Sequence, residues 1–419
     1  MKNFQRIAFY LFSFGFARGV LFISPILLAN LLPSAVYGTL EWSYAAASVI
    51  ATLVAVGTSA TVPLVELKKV TTGSFSGVLV HQLFVAVGVA VLLVCGVLLQ
   101  LSDAFVMTTL FTAAIALQVL WSSYLKTHGR GEASLFLDAG TFGLITVVVV
   151  AVDYVRSPNV VDWLIWGIAC YVFILSSVSI WGLVRRLRDG EVVAYQEVLR
   201  LGFPLMVSSV VTVAATTSGR LMAGYLGGVV LAADYSVLAR IAALPIIAHQ
   251  IVMVAKFRHL FTLPDRDMER AVSNIIGLVA LAAAIFGLSF NSLGWIFGAA
   301  FLRVFDENAL PAYWILGQSI LWSGIALHDL VNTRLQTMYK VLPWSIFCLI
   351  LSVPTAVVLI NIWGISLAHF VYVHGLLMLL FYLNQIAAMR RAGIRLVRAW
   401  SIAVGGYVLF VSTATIFCL

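Results

Sequence analysis

Three arginines stand in stretches that are otherwise almost wholly apolar: Arg18 in "FSFGFARGVLFISP" (12–25), Arg220 in "TTSGRLMAGYL" (216–226) and Arg240 in "YSVLARIAALP" (235–245). A guanidinium in hydrocarbon costs several kcal/mol unless an acid, a water-filled cavity or an anionic ligand meets it. Its planar fork pairs two-pronged with carboxylate or phosphate. Two acids in similar stretches are candidate partners or proton carriers, Glu41 and Asp234. Arg220 is seven residues before Gly227 and Asp234 seven after it. By helix rise both lie roughly 10 Å below a turn centred there, and can meet as an ion pair. Such a pair is either a structural clamp or part of a site, since pairing relieves burial in both cases. Glu41 lies at similar depth from the Pro33–Tyr37 turn. Arg18 and Arg240 are deeper, Arg18 by roughly 22 Å from its turn, and neither has an acid within one helical turn of sequence.

Around these charges the pattern is polar on one side only. Ser208, Thr212, Thr216 and Arg220 recur every four residues, which makes one slowly drifting stripe on a helix. The stripe fits an aqueous face, or hydroxyl contacts between helices. Pro25, Pro204, Pro245 and Pro354 are expected to kink their helices, and kinks are tolerated where they pack on protein or line a cavity. Asp138 and Asp329 fall near helix ends, where snorkelling to the interface is the simple reading. His81, His249, His369 and His374 read as core histidines, with His369 a weaker candidate for a proton relay. Cys95, Cys170, Cys348 and Cys418 read as small buried apolar residues. Nucleophile elbows, Walker loops and metal-ligand clusters are absent from the sequence, so it points to no enzyme, cofactor or metal.

The elements that position these residues follow from composition. Of 419 residues 62% are hydrophobic and 10% charged, against about 25% charged in a soluble domain. Lipid must solvate most of the chain. Runs long enough to span a bilayer occur at roughly 6–32, 37–63, 76–101, 104–126, 134–155, 161–184, 200–226, 229–255, 270–291, 309–333, 341–361, 363–388 and 399–419. The stretch 292–309 is too short and is expected at the outer interface. The last run is expected as a thirteenth helix outside the main bundle. The N-terminus has a basic start like a signal peptide, but its apolar run continues to Leu32, as an uncleaved first span would.

The net charge of +8 comes from Lys and Arg in links between runs, which marks topology rather than nucleic-acid binding. Alternate links hold 20 of the 25 Lys and Arg, and the opposite links hold only Arg156 and Arg303. The positive-inside rule then places the N-terminus in the cytoplasm. Six runs precede the basic stretch 185–199, an amphipathic linker, so the chain reads as lobes at 1–184 and 200–388 with an extra helix at 399–419. The opening hairpin of each half carries the deep charges. Transporters often bind cargo where two such halves meet.

The segment "ILLANLLPSAVYGTLEWSYAAASVIATLVAVGTSATVPLV" (26–65) resembles the first hairpin of the bacterial O-antigen and polysaccharide flippases, through Leu31, Pro33, Tyr37, Gly38 and Gly57. The segment 199–245 is similar to their seventh and eighth helices, through Gly202, Pro204, Arg220-Leu-Met, Tyr235-Ser236 and Arg240. The family often has Asp before the seventh-helix arginine, where this chain has Gly219. The resemblance covers essentially the whole chain in span order, with short motifs. It implies the multidrug/oligosaccharidyl-lipid/polysaccharide exporter superfamily: an all-α polytopic membrane protein of two six-helix lobes around a central cavity.

The implied cargo is an undecaprenyl-diphosphate-linked oligosaccharide, moved from the cytoplasmic to the periplasmic leaflet of the bacterial inner membrane by alternating access, for O-antigen or other lipopolysaccharide or polysaccharide synthesis. Arg18, Arg220 and Arg240 would meet the diphosphate. Coupling to H+ or Na+, and partnership with a polysaccharide polymerase and a chain-length regulator, are part of the same expectation. A cation-coupled drug exporter of the same superfamily is the nearest alternative, though it predicts acids at the deep positions. A membrane polymerase or ligase would need a sizeable external loop, which the run spacing does not leave.

Overall fold

The computed structural model describes residues 2–66, 75–155, 159–250, 252, 263–335 and 337–418, and among these the secondary structure is helical throughout. The helices are α1 (Lys2–Leu31), α2 (Ser34–Val54), α3 (Thr58–Glu66), α4 (Phe75–Leu98), α5 (Asp103–Thr127), α6 (Gly131–Val155), α7 (Val160–Arg188), α8 (Tyr195–Ala242), α9 (Asp265–Leu293), α10 (Ala299–Glu307), α11 (Ala309–Arg334), α12 (Met338–Trp363), α13 (Leu367–Arg391) and α14 (Val397–Cys418). Eleven of the described helices are long and apolar enough to cross a membrane. One of the eleven, α8, turns back at Gly228 (φ 83°), so it supplies two of the expected runs. The chain is a multi-pass membrane protein. The link residues Lys68, Lys69, Arg156, Lys256 and Arg258, and all of run 229–255 beyond residue 250 except Val252, lie outside the described residues.

The chain divides into two compact units, Met1–Val213 and Ala214–Leu419. In the first, α5 is the centre: α2, α3, α4, α6 and α7 all pack on it, and α1 packs along α6. Its buried face is rich in alanine (Ala113, Ala114, Ala116), which lets neighbouring backbones approach closely without aqueous hydrophobic drive. Gln118 ties three helices together, donating to the Asp138 carbonyl of α6 (2.7 Å) and accepting from Thr141 of α6 and Tyr171 of α7. The opposite surfaces show Val147, Trp166 and Phe173 to lipid. Asp138 pairs with Lys126 at 2.9 Å, and that lysine is half-exposed.

In the second unit α11 and α13 pack on one another, α12 packs on α13, and α9 packs on α11. The C-terminal helix, expected as an addition to the main bundle, packs against α9 and α11 and leaves most of its surface exposed. Trp400 of α14 donates its indole N–H to His328 Nε2 of α11 (3.1 Å), whose Nδ1 meets Gln385 Oε1 of α13 (3.3 Å). Tyr382 stacks flat on the same imidazole, 4.7 Å away. An indole can only donate, so His328 Nε2 is bare and Nδ1 carries the hydrogen. The apolar stretch 292–309 forms a 3-10 turn and α10, anchored by Phe301 and Phe305 against Phe290 of α9.

Of the prolines expected to kink their helices, Pro25, Pro204 and Pro354 lie inside continuous helix, and the helical pattern is interrupted elsewhere. One interruption is at Ala243–Leu244–Pro245, where 3-10-type bonds replace helical ones. The other is at Ala55–Val56–Gly57, where no proline stands, and it splits run 37–63 into α2 and α3. Val56 there takes φ 46°, a conformation that a β-branched residue adopts only under constraint. The linker expected over 185–199 is helical at both ends, leaving 189–194 as the turn between α7 and α8.

Candidate functional site

In the first unit, the break in run 37–63 is stitched by polar side chains. Ending α2 leaves the Val54 carbonyl without its helical donor, and His81 Nε2 of α4 supplies one at 2.7 Å. His81 Nδ1 lies 3.1 Å from the Tyr195 hydroxyl of α8, so a neutral ring that donates through Nε2 and accepts through Nδ1 satisfies both contacts. Gln82 donates to Thr58 Oγ1 at 3.3 Å beside it. The backbones press together here: a Cβ on Gly57 would run into the Gly202 carbonyl, and one on Gly202 into the Val56 carbonyl. Glu41 is wholly buried in α2, with the Tyr37 hydroxyl 3.5 Å from its Oε1. Arg18 is half-buried in α1, with its Cζ 5.6 Å from the Phe14 ring.

At the cytoplasmic end expected from the charge pattern, Arg186 gathers four elements. It bonds Glu66 of α3 (3.3 Å), Glu191 of the following turn (3.0 Å) and the Tyr124 hydroxyl of α5 (3.2 Å). Its guanidinium also lies 4.7 Å from the Phe75 ring of α4. These contacts close the ends of α3, α4, α5 and α7 together.

The expected hairpin of α8 forms, turning at Gly228 so that Tyr235 comes back beside Gly219. Ser208, Thr212, Thr216 and Arg220 are all half-buried along the first arm of α8, and Arg240 is half-buried in the last turn before the break at 243–245. The ion pair that Asp234 makes is with Arg303 of α10, at 2.7 Å. Arg303 had counted only as an outer link residue. Its partner is 69 positions away, and no spacing rule connects them.

A second group was missed because its members are further apart still. The Tyr235 hydroxyl of α8 lies 2.8 Å from His374 Nδ1 of α13. Gln318 Oε1 of α11 also lies 2.8 Å from Nδ1, and the Ala215 carbonyl lies 3.2 Å from Nε2. All three of these side chains are almost completely buried. Gly219, next to Arg220, makes room for the pair: a Cβ there would overlap the Tyr235 hydroxyl and sit 3.0 Å from His374 Cγ. The residues of a signal were legible, since Tyr235 follows Asp234 and His374 was one of the scattered histidines, but nothing local joined them. No group of three or more metal-binding side chains occurs among the described residues.

No family profile matches the chain, and no curated protein sequence matches it. Solved structures do match in fold. One is an inward-facing multidrug resistance MATE family transporter of the MOP superfamily, with TM-score 0.60 at 15% identity over 95% of both chains. Another is a MATE protein in complex with MaL6, with TM-score 0.59 at 15% identity over 96% of this chain and 94% of that one. At such identity the likeness is one of fold: this chain folds as MATE transporters do.

Proposed function

We propose that the chain is a flippase that carries an undecaprenyl-diphosphate-linked oligosaccharide from the cytoplasmic to the periplasmic leaflet of the bacterial inner membrane by alternating access. The observation that carries this reading is the set Arg18, Arg220 and Arg240, half-buried in helices long and apolar enough to cross a membrane. The fold likeness to transporters supports a carrier, and the arginines choose an anionic cargo. The diphosphate is the part of a lipid-linked glycan that cannot cross hydrocarbon, and arginine is the side chain whose geometry suits it. Ser208, Thr212 and Thr216 continue the polar edge of α8 and can bond the first sugars. Because the cell interior is negative, moving the anion outward gains about 2.3 kcal/mol per charge per 100 mV. Coupling to H+ or Na+ would then serve to reset the empty carrier. In this reading the N-terminus is cytoplasmic, and a polymerase and chain-length regulator receive the cargo.

In cells that depend on the chain for surface glycan, Arg18→Ala and Arg240→Ala should each abolish glycan delivery at unchanged protein level. Loss of a charge-assisted bond of about 1.5–3 kcal/mol corresponds to a roughly 10- to 100-fold weaker hold on the diphosphate. Normal delivery by both variants refutes the reading.

One observation favours the drug-exporter alternative. Glu41 is wholly buried in α2, as an acid for a cationic drug or a coupling ion would be. That reading expects drug efflux that Glu41→Gln abolishes and Arg240→Ala spares.

A further inference from the structure

Three buried histidines among the described residues have well-defined partners, and hydrogen bookkeeping separates them. His81 faces one carbonyl and one hydroxyl, and His328 faces one indole N–H and one amide oxygen. Each is satisfied as a neutral ring. His374 differs. Its Nε2 faces the Ala215 carbonyl and its Nδ1 faces Gln318 Oε1, and both are acceptors. The Gln318 amide cannot turn over to offer a donor, because its Nε2 is committed to the Val371 carbonyl at 3.1 Å. Two ring nitrogens each aimed at an acceptor describe an imidazolium. The Tyr235 hydroxyl, 2.8 Å from Nδ1, provides for the other state, since it can donate to a bare Nδ1.

We propose that His374 is a proton-binding site inside the second unit, at which Gln318 and Tyr235 alternate as partners of Nδ1. In the neutral state Nε2–H donates to the Ala215 carbonyl and Nδ1 accepts from the Tyr235 hydroxyl. When one proton arrives on Nδ1, that N–H donates to Gln318 Oε1 and the Tyr235 hydroxyl hydrogen is released to turn elsewhere. The balance is one proton taken up, with no bond to carbon made or broken. His374 lines a small cleft with Ala215, Ser218, Leu349 and Ser352.

The groups around His374 set its response. Tyr235 comes from the second arm of α8, and Arg220 from the first arm opposes the added charge. α14 brings Tyr407, whose hydroxyl lies with Gln318 Nε2 beside Gly375. α12 brings Leu349 and Ser352, neither of which titrates in this range. An anion drawn to Arg220 would offset the opposing charge, so anion and proton would favour one another. That last coupling rests on the proposed diphosphate site, whereas the proton site itself does not.

The test uses the full chain with 15N-labelled histidine in lipid nanodiscs, with His374→Gln to identify the His374 signals. A titration runs from about pH 8 to about pH 4, the range open to a perturbed histidine. The doubly protonated pattern should grow in at the acid end in the wild type. In Arg220→Gln it should appear on the order of one pH unit higher. Tyr235→Phe, which removes the donor that favours the neutral ring, should also raise the midpoint, and Gln318→Leu should lower it. A His374 signal that stays neutral in both wild type and Arg220→Gln, or midpoints identical in the two, overturns the proposal. Adding undecaprenyl diphosphate should raise the wild-type midpoint. If the lipid has no effect while Arg220→Gln does, the proton site stands and the diphosphate reading falls. If the lipid is transported while His374 never protonates, the proton site falls alone.

Discussion

The crowding at Gly219 makes a prediction whose sign can be worked out. In Gly219→Ala the new methyl would overlap the Tyr235 hydroxyl and lie 3.0 Å from His374 Cγ. Tyr235 has little room to retreat, being 2% exposed. Overpacking of a filled core costs about 1–3 kcal/mol, and displacing the hydroxyl from His374 forfeits about 1 kcal/mol more. Against this, alanine in mid-helix gains about 1 kcal/mol over glycine. The net expectation is a loss of about 1–3 kcal/mol. Removing the larger obstacle shrinks the penalty: in a Tyr235→Leu background only the 3.0 Å approach to His374 Cγ remains, and Gly219→Ala should cost at least about 1 kcal/mol less than it does beside Tyr235. The assay is the thermal unfolding midpoint of the four proteins in one detergent at one scan rate, since membrane proteins seldom refold. If Gly219→Ala stabilises the protein with Tyr235 present, or if the two changes simply add, the packing described around His374 is wrong.

Two further changes probe the scaffold. Trp400→Phe removes the donor to His328 Nε2, leaving a buried acceptor unmet at a cost of about 1–3 kcal/mol. It should lower the thermal midpoint and speed hydrogen exchange in α14, and unchanged exchange there would mean the C-terminal helix does not depend on this anchor. Arg186→Lys keeps the charge but not the fork that reaches Glu66, Glu191 and Tyr124 at once. Proteolytic cleavage in the turn 189–194 should become several-fold faster, and an unchanged rate would show that the cluster does not hold that turn.

The spans were legible because lipid leaves the sequence little freedom: a charge-free run of about 20 residues has one structural outcome. The turn at Gly227–Gly228 was legible for the same reason, as two glycines between two runs. The breaks were not. Proline marks where a helix bond is missing, yet α1, α8 and α12 carry proline without ending. The break at 55–57 needs instead a place for the freed Val54 carbonyl, and that place is His81 of another helix. Long-range polar contacts were equally hidden. Asp234 finds Arg303 only because α10 folds back at the end of α9, and Tyr235 finds His374 across 139 positions. Depth along a helix can be counted from a turn, but the direction in which a side chain faces cannot be paired with an unseen neighbour.

The helix breaks nevertheless fall in a pattern that bears on function. The runs that break, 37–63 and 229–255, are each the second member of a hairpin whose helices carry deep charge: Arg18 and Glu41 in one, Arg220, Asp234 and Arg240 in the other. Broken spans in corresponding positions of two halves mark the cargo sites of many carriers, because unwound backbone survives in a membrane only where protein or water satisfies it. In the first unit that satisfaction is visible atom by atom, with His81 on the Val54 carbonyl and Gly57 against Gly202. A left-handed valine held in place by a neighbouring helix is strain that the surrounding packing maintains. On the proposed carrier reading the arginines would hold the anion, and the breaks fall in the same two hairpins that carry those arginines.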